Sequence, residues 1–321
     1  MPFDVYAFAD YSGSSSPAGQ RQHIVFAMKQ RDGGLTVVRR LTRAELWIET
    51  CNMLIHAEQE GRRAILGFDH SYSFPRGLFD HVAHRPWTSW RELLNCLAQP
   101  TPAAPHPLGD PLTKRQIEQL RTRCAAHPAA AHALDDVLRR MDNTVHPRTW
   151  AASVNHWFRA VGITLEGPFW GTNWSIQERT PDFPFSVEMP EKRLVERLCQ
   201  VKRGKSMKPI YQLGGQGSVG QQSLFGIPYV HALLEFCDRL GIPLFCWPYD
   251  GWDPPSYAHV LVEVYPTLYN HGPRTDEGDA VACVEWMEKQ DHSGGIPFAP
   301  DPGLSEDECR LARLEGWVIG V

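Results

Sequence analysis

With 321 residues, 42% of them hydrophobic and 21% charged, the chain has the composition of a globular protein, sized for two average domains or one enlarged one. A net charge of −5 excludes a generic polyanion-binding surface, so any nucleic-acid contact must come from a local basic patch. No apolar run approaches membrane-spanning length, and the N-terminus lacks the basic and apolar regions of a secretory signal, which predicts a soluble protein without a membrane partner.

The chain opens with "VYAFADYSG", a short apolar strand ending at Asp10 and closed by a Gly/Ser turn. "HIVFAMK" and "LTVVRRL" follow as β-rich runs joined by "QRDGG", a hairpin signal. "TRAELWIETCNMLIHAEQEG" is a helix, with Thr42 and Glu45 as a capping box and Gly61 where a C-cap belongs. "RRAILGF" is a buried strand that stops abruptly on Asp69 with no turn chemistry before it. Residues 86 to 190 are rich in Pro, His, Ala and Trp and carry the helical patterns "KRQIEQLRTRCAAH" and "AHALDDVLRRMD". They read as a mainly helical insertion within one domain, 1–321, because the earlier pattern then resumes. "IPYVHALLEFCDRLG" is an amphipathic helix ended by Gly241, "PLFCWPY" and "HVLVEVYP" are strands, and "TDEGDAVACVEWMEKQ" is the last clear helix. The eight cysteines are scattered with no C-x-x-C pair, which predicts reduced thiols and a cytoplasmic location.

Acids end the apolar strands at Asp10, Asp69 and Glu263, and Asp276 and Asp279 share a face of the first turn of the last helix. In an α/β sheet, adjacent strand ends and a helix end converge on one edge. Converging carboxylates repel and are costly to desolvate unless a divalent cation neutralises them, and oxygen-only ligation suits Mg²⁺ or Mn²⁺. Two such ions support phosphodiester hydrolysis. Taken singly, Asp10 also suits a turn, and Asp276 with Asp279 also suit a helix N-terminal cap. Asp250 competes with Glu263 for one place, since the sequence leaves open which of the last two strands belongs to the core.

"LGGQGSVGQQ", with Gly215, Gly217 and Ser218, precedes a helix and is either a phosphate cradle or a plain tight loop. The one concentrated basic segment, "KRLVERLCQVKRGKSMK", holds Lys192, Arg193, Arg197, Lys202, Arg203, Lys205 and Lys208, which read equally as phosphate contacts or as a solvated helix face. His70, beside Asp69, is a candidate to position a water or phosphate. The tryptophans Trp87, Trp90, Trp157, Trp170 and Trp174 suit stacking on unpaired bases or simple packing of the insertion.

The element order resembles the ribonuclease H-like fold, a mixed five-stranded sheet flanked by helices. The phrases "FADYSGS", "ILGFDHSYSFP", "GGQGSVGQQSLFGIP", "FCWPYDG", "VEVYPTLY", "DEGDAVACVEWM" and "LEGWVIGV" resemble domain-of-unknown-function family 429, predicted nucleases of that superfamily. They run in order from end to end, with residues 86 to 165 least matched. The resemblance implies a metal-dependent nuclease acting on nucleic acid, with a site of Asp10, Asp69, Glu263 and Asp279, and Asp276 nearby in the resolvase manner. Two other classes compete. "DYSGSSS" also resembles the first phosphate loop of ATP-dependent phosphotransferases of the actin and sugar-kinase kind, and a non-catalytic scaffold would carry the tryptophans as a binding surface.

Overall fold

The computed structural model describes residues 2–83, 86–124, 143–164, 166–171, 183–215 and 217–321, with positions 131, 134, 135 and 138 between them and only the backbone of 123 and 124. The expected helix "AHALDDVLRRMD" lies largely outside the described residues, as does Trp174.

Strands β1 (Val5–Asp10), β2 (Val25–Gln30) and β3 (Leu35–Arg39) form the expected antiparallel hairpins. Strand β4 (Ala64–Phe68) lies parallel to β1, and β6 (His259–Glu263) lies parallel to β4. A short strand β5 (Leu244–Cys246) pairs parallel to the outer side of β6, giving the order β3-β2-β1-β4-β6-β5. The described sheet therefore has six strands rather than the expected five. The chain reaches the edge at β5 before turning back to β6 beside β4, a reversal that apolar patterning does not encode.

Both faces of the sheet are covered, and β1 shows why its sequence is apolar throughout. Val5, Ala7 and Ala9 join one core, while Tyr6 and Phe8 join the other, as the two-residue period of a strand requires. The first core lies under α2 (Arg43–Gln59) and α8 (Gly220–Leu240), which pack on each other. It also takes in Trp90 of α4 (Trp90–Leu97) and Trp150 of α6 (Pro147–Ala160), so the insertion shares this core with the sheet. The second core lies under α7 (Leu194–Arg203), α9 (Asp276–Ser293) and α10 (Glu306–Glu315), with α9 against β1 and β2. Helices α3 (Leu78–Ala83) and α5 (Lys114–Cys124) complete the described helices together with α1 (Pro17–His23).

Helix α1 follows the Gly/Ser turn that closes β1 and is not expected from the sequence. Ser16 caps it, its Oγ accepting from Gly19 N at 3.1 Å, and Pro17 occupies the first helical position, where its missing N–H costs nothing. The capping box of α2 forms as expected, with Thr42 N donating to Glu45 Oε2 at 2.8 Å and Glu45 N to Thr42 Oγ1 at 3.2 Å. Helix α8 starts at Gly220, seven residues before the expected Ile227, and runs through Pro228, a residue more usual at a helix start. Gly241, at φ 67°, closes it in the left-handed conformation. No described helix is long and apolar enough to cross a membrane.

Candidate active site at the carboxyl edge of the sheet

The register of the parallel strands decides which acids can meet. Ala9 pairs with Phe68 across β1 and β4, so the next residues, Asp10 and Asp69, leave the sheet side by side. Phe68 in turn pairs with Glu263, one position out of step with Asp69. Since side chains alternate between faces, Glu263 emerges on the side of Phe68, while Asp10 and Asp69 emerge on the side covered by α9.

Asp10 is buried, and its carboxyl lies within hydrogen-bonding reach of that of Asp69. Burial and the neighbouring Asp69 push Asp10 up to about 11, with Asp276 and Asp279 adding to the same effect. Asp69 is raised to about 7, mainly by burial, against the opposing pull of Asp10, Gln222 and Tyr11. The two carboxyls thus titrate as a pair that holds a proton above the usual carboxylate range. Tyr11 N donates to Asp69 Oδ1 at 2.7 Å, and Gln222 Nε2, in the first turn of α8, donates to the Asp69 carbonyl at 3.2 Å.

The acids of α9 stand at its N-terminus, where Thr275 rather than Asp276 is the cap. Asp276 Oδ2 faces His23 Nδ1 of α1 at 3.1 Å. Asp279 Oδ1 accepts from Asn270 Nδ2 at 2.6 Å, and Arg274 stands 3.7 Å away. Both aspartates raise Asp10, and Asp279, Asp10 and Asp69 together help to raise the buried Cys283 thiol beneath them. All four acids therefore act on one region, although among the described residues no three metal-ligating side chains close on a common point.

Glu263, expected among the ligands, is buried in an ion pair. Arg193 Nη1 donates to its two oxygens at 2.8 and 3.0 Å, Tyr72 N donates at 3.1 Å, and Tyr249 Oη also donates to it. Burial raises the Glu263 carboxyl while Arg193 pulls it back. Both Glu263 oxygens are thus engaged, which leaves Asp10, Asp69, Asp276 and Asp279 of the expected metal ligands. Asp250 is likewise occupied, accepting from Cys246 N at 2.8 Å and Arg91 at 3.3 Å. The His70 imidazole is buried, stacked on Phe68 with centroids 5.7 Å apart and flanked by Tyr11 and Tyr72, and the residue also lines the cleft beside Asp69.

A cleft of about 70 Å³ opens beside Asp69, lined by Ser71, Lys208, Gly217, Val219 and Tyr265 among others. Lys208 and Gly217 are thus the members of the expected phosphate-binding group that reach the acids' edge. Lys202 instead pairs with Asp301 at 2.5 Å, and Arg203 donates to the Gly320 carbonyl at 2.5 Å, so both are tied to the C-terminal segment. Lys205 is exposed, and Ser218 N donates to the Gly215 carbonyl at 3.2 Å within the loop. Trp90 is buried against Tyr249 at 4.0 Å, and Trp87, Trp157 and Trp170 pack on the first core, so these four are packing residues.

Three supporting residues escaped the sequence reading. Gln222 and Asn270 fix Asp69 and Asp279, and nothing in "GQQS" or "YNHG" marks an amide as a ligand's partner. Arg43, fully buried, donates to the carbonyls of Ser12 and Ser14 at 2.8 and 2.7 Å and to Asp110 of the insertion at 2.9 Å. It reads from the sequence as an ordinary first-turn residue, yet it shapes the loop that follows Asp10. Compared with models of protein families, with curated proteins and with solved structures, the chain finds no match in any of the three.

Proposed function

We propose that the protein is a divalent-metal-dependent nuclease of the ribonuclease H-like kind. The observation that carries this reading is the Asp10–Asp69 contact: two carboxyls from adjacent parallel strand ends meet within hydrogen-bonding reach, and burial raises both above the usual carboxylate range. A fold keeps such a destabilising pair where a cation relieves it, and the all-oxygen donors suit Mg²⁺ or Mn²⁺. The central order β3-β2-β1-β4-β6, with a helix bearing two further acids closing the edge, supports the ribonuclease H-like assignment.

Asp10 and Asp69 would hold the cation, with Asp276 and Asp279 completing its surroundings. When bound, the cation supplies the positive charge that polarises a phosphodiester and favours deprotonation of an attacking water. Tyr11 N and Gln222 fix Asp69, and Asn270 fixes Asp279, so the acids are oriented before a ligand arrives. Lys208 and the backbone at Gly217 line the approach beside Asp69 and suit a phosphate. The phosphotransferase alternative needs a second Asp-Gly phosphate loop, and Asp250, its one candidate, has its carboxylate bound to Cys246 N and Arg91.

The test is cleavage of labelled single-stranded, duplex and hybrid oligonucleotides with Mg²⁺ or Mn²⁺, wild type beside Asp69→Asn. Metal-dependent cutting that falls to background in the variant is expected. No cutting of any of the substrates by wild-type protein would sink the proposal.

A further inference from the structure

Behind the acid pair, on the opposite face of the sheet, four buried side chains each carry a polar atom with no hydrogen-bond partner: Tyr11 Oη, Trp47 Nε1, Thr50 Oγ1 and His70 Nε2. All four residues line one internal cavity of about 10 Å³, and each is at least nine-tenths buried, at 6%, 4%, 0% and 3% exposure respectively. The cavity's other two polar side chains, Arg43 and Tyr229, are both satisfied by Asp110, at 2.9 and 3.1 Å. The unmet hydrogen-bonding capacity of the wall therefore belongs to these four atoms.

Orphaned buried polar atoms are costly, and four carried by residues that line one small space call for a common partner. We propose that this cavity is a binding site for a single, permanently held water molecule that bridges β1, β4 and α2 directly behind Asp10 and Asp69. The volume admits one water and nothing larger.

The donor and acceptor chemistry matches a water and rejects an ion. The indole Nε1–H of Trp47 can only donate, which rules out a cation. His70 Nδ1 lies 3.2 Å from the Ser71 carbonyl, so Nδ1 carries the hydrogen and Nε2 presents a lone pair, which rules out an anion. A water accepts from Trp47, donates to His70 Nε2, and exchanges one bond in each direction with the hydroxyls of Tyr11 and Thr50. Two donors and two acceptors on the water then meet four partners with none left over.

The site's place gives it a consequence. Tyr11 follows Asp10, His70 follows Asp69, and their rings lie 4.6 Å apart. Trp47 and Thr50 sit three residues apart on α2 and so share a face. Gly226 of α8 permits the arrangement, since a methyl there would overlap the His70 ring edge at Cε1 and Nε2. The water thus ties the two strand ends to the helix above them, whatever reaction the acids serve.

A high-resolution crystal structure of the full chain, joined to ¹⁵N NMR of the His70 ring, tests this. The expected result is a fully occupied water within about 2.7–3.2 Å of the four atoms, with His70 Nε2 unprotonated. In Thr50→Val and Tyr11→Phe combined, the water loses two of four partners and its density should be lost. Direct pairing of the four side chains with one another and no density in wild-type protein would overturn the proposal. So would a halide or metal ion in the cavity, or an Nε2–H tautomer of His70. The wild-type measurement decides even if the double variant does not fold, and neither arm depends on nuclease activity.

Discussion

Burial and the neighbouring Asp69 keep a proton on Asp10, and this sets a sign for the pH dependence of the metal-free protein. Below pH 3.8, the ordinary value for the group, folded and unfolded chains both hold the Asp10 proton and the site costs nothing. Above it the unfolded chain releases the proton while the folded chain retains it to about 11, so stability is lost progressively as pH rises. Asp69, raised to about 7, adds a loss that is complete above that value. Thermal unfolding without divalent ions should therefore show Asp10→Asn melting higher than wild type at pH 8, with the gap closing towards pH 4. Mg²⁺ or Mn²⁺ should raise the wild-type Tm more at pH 8 than at pH 5, and should raise that of Asp10→Asn little at either. A variant less stable than wild type at pH 8 would show that the pair is not under strain. At the same scale, Asn270→Ala frees the Asp279 carboxylate without removing it. It should lower metal-dependent cleavage by about 10–100-fold, the range seen when the partner of a ligand is lost, with a weaker apparent affinity for the metal that titration of activity against Mn²⁺ would read.

Between elements, the Arg193–Glu263 pair joins the start of α7 to the end of β6. Arg193 also binds Glu196 at 2.8 Å and the Glu315 carbonyl at 2.9 Å, and the Glu315 carboxylate accepts from Leu194 N and Arg76 N, both at 2.7 Å. Removing the arginine leaves buried carboxylates uncompensated, so Arg193→Met should cost about 3–5 kcal/mol in denaturant unfolding. Glu263→Gln retains the neutral hydrogen bonds and should still bind Mn²⁺ with near-wild-type affinity by calorimetry. Loss of binding would return Glu263 to the ligand set. Much of this scale was legible in the sequence: the hairpins, the α2 capping box and the acids at the ends of β1 and β4 all follow from local chemistry. The partner of Glu263 was not, because Arg193 read as one cation in a basic run, and its burial depends on β6 lying inside β5. The full reach of α8 was hidden for a similar reason, since Pro228 reads as a helix start while tertiary packing carries the helix through it.

Over the whole molecule, a net charge of −5 and the fate of the basic segment set how a nucleic acid can bind. The run from Lys192 to Lys208 reads as a concentrated cationic patch, yet the fold engages three of its seven cations with other parts of the chain. Arg193 is buried, Lys202 pairs with Asp301, and Arg203 holds the C-terminal segment. Arg197 is exposed on α7, and Lys205 and Lys208 are exposed near the start of the glycine loop, with Lys208 on the cleft wall beside Asp69. Two phosphate contacts predict a shallow salt dependence, a log–log slope of about −1.4 for a single strand. Fluorescence anisotropy of a labelled oligonucleotide with Asp69→Asn, across a salt series at fixed Mg²⁺, measures it without turnover. Lys208→Ala should weaken binding and flatten the slope by about 0.7, whereas Lys202→Ala should leave the slope unchanged because its charge is already paired. A wild-type slope steeper than about −4 would require about six or more phosphate contacts, more than Lys205 and Lys208 supply, and would move the binding surface away from the cleft beside Asp69.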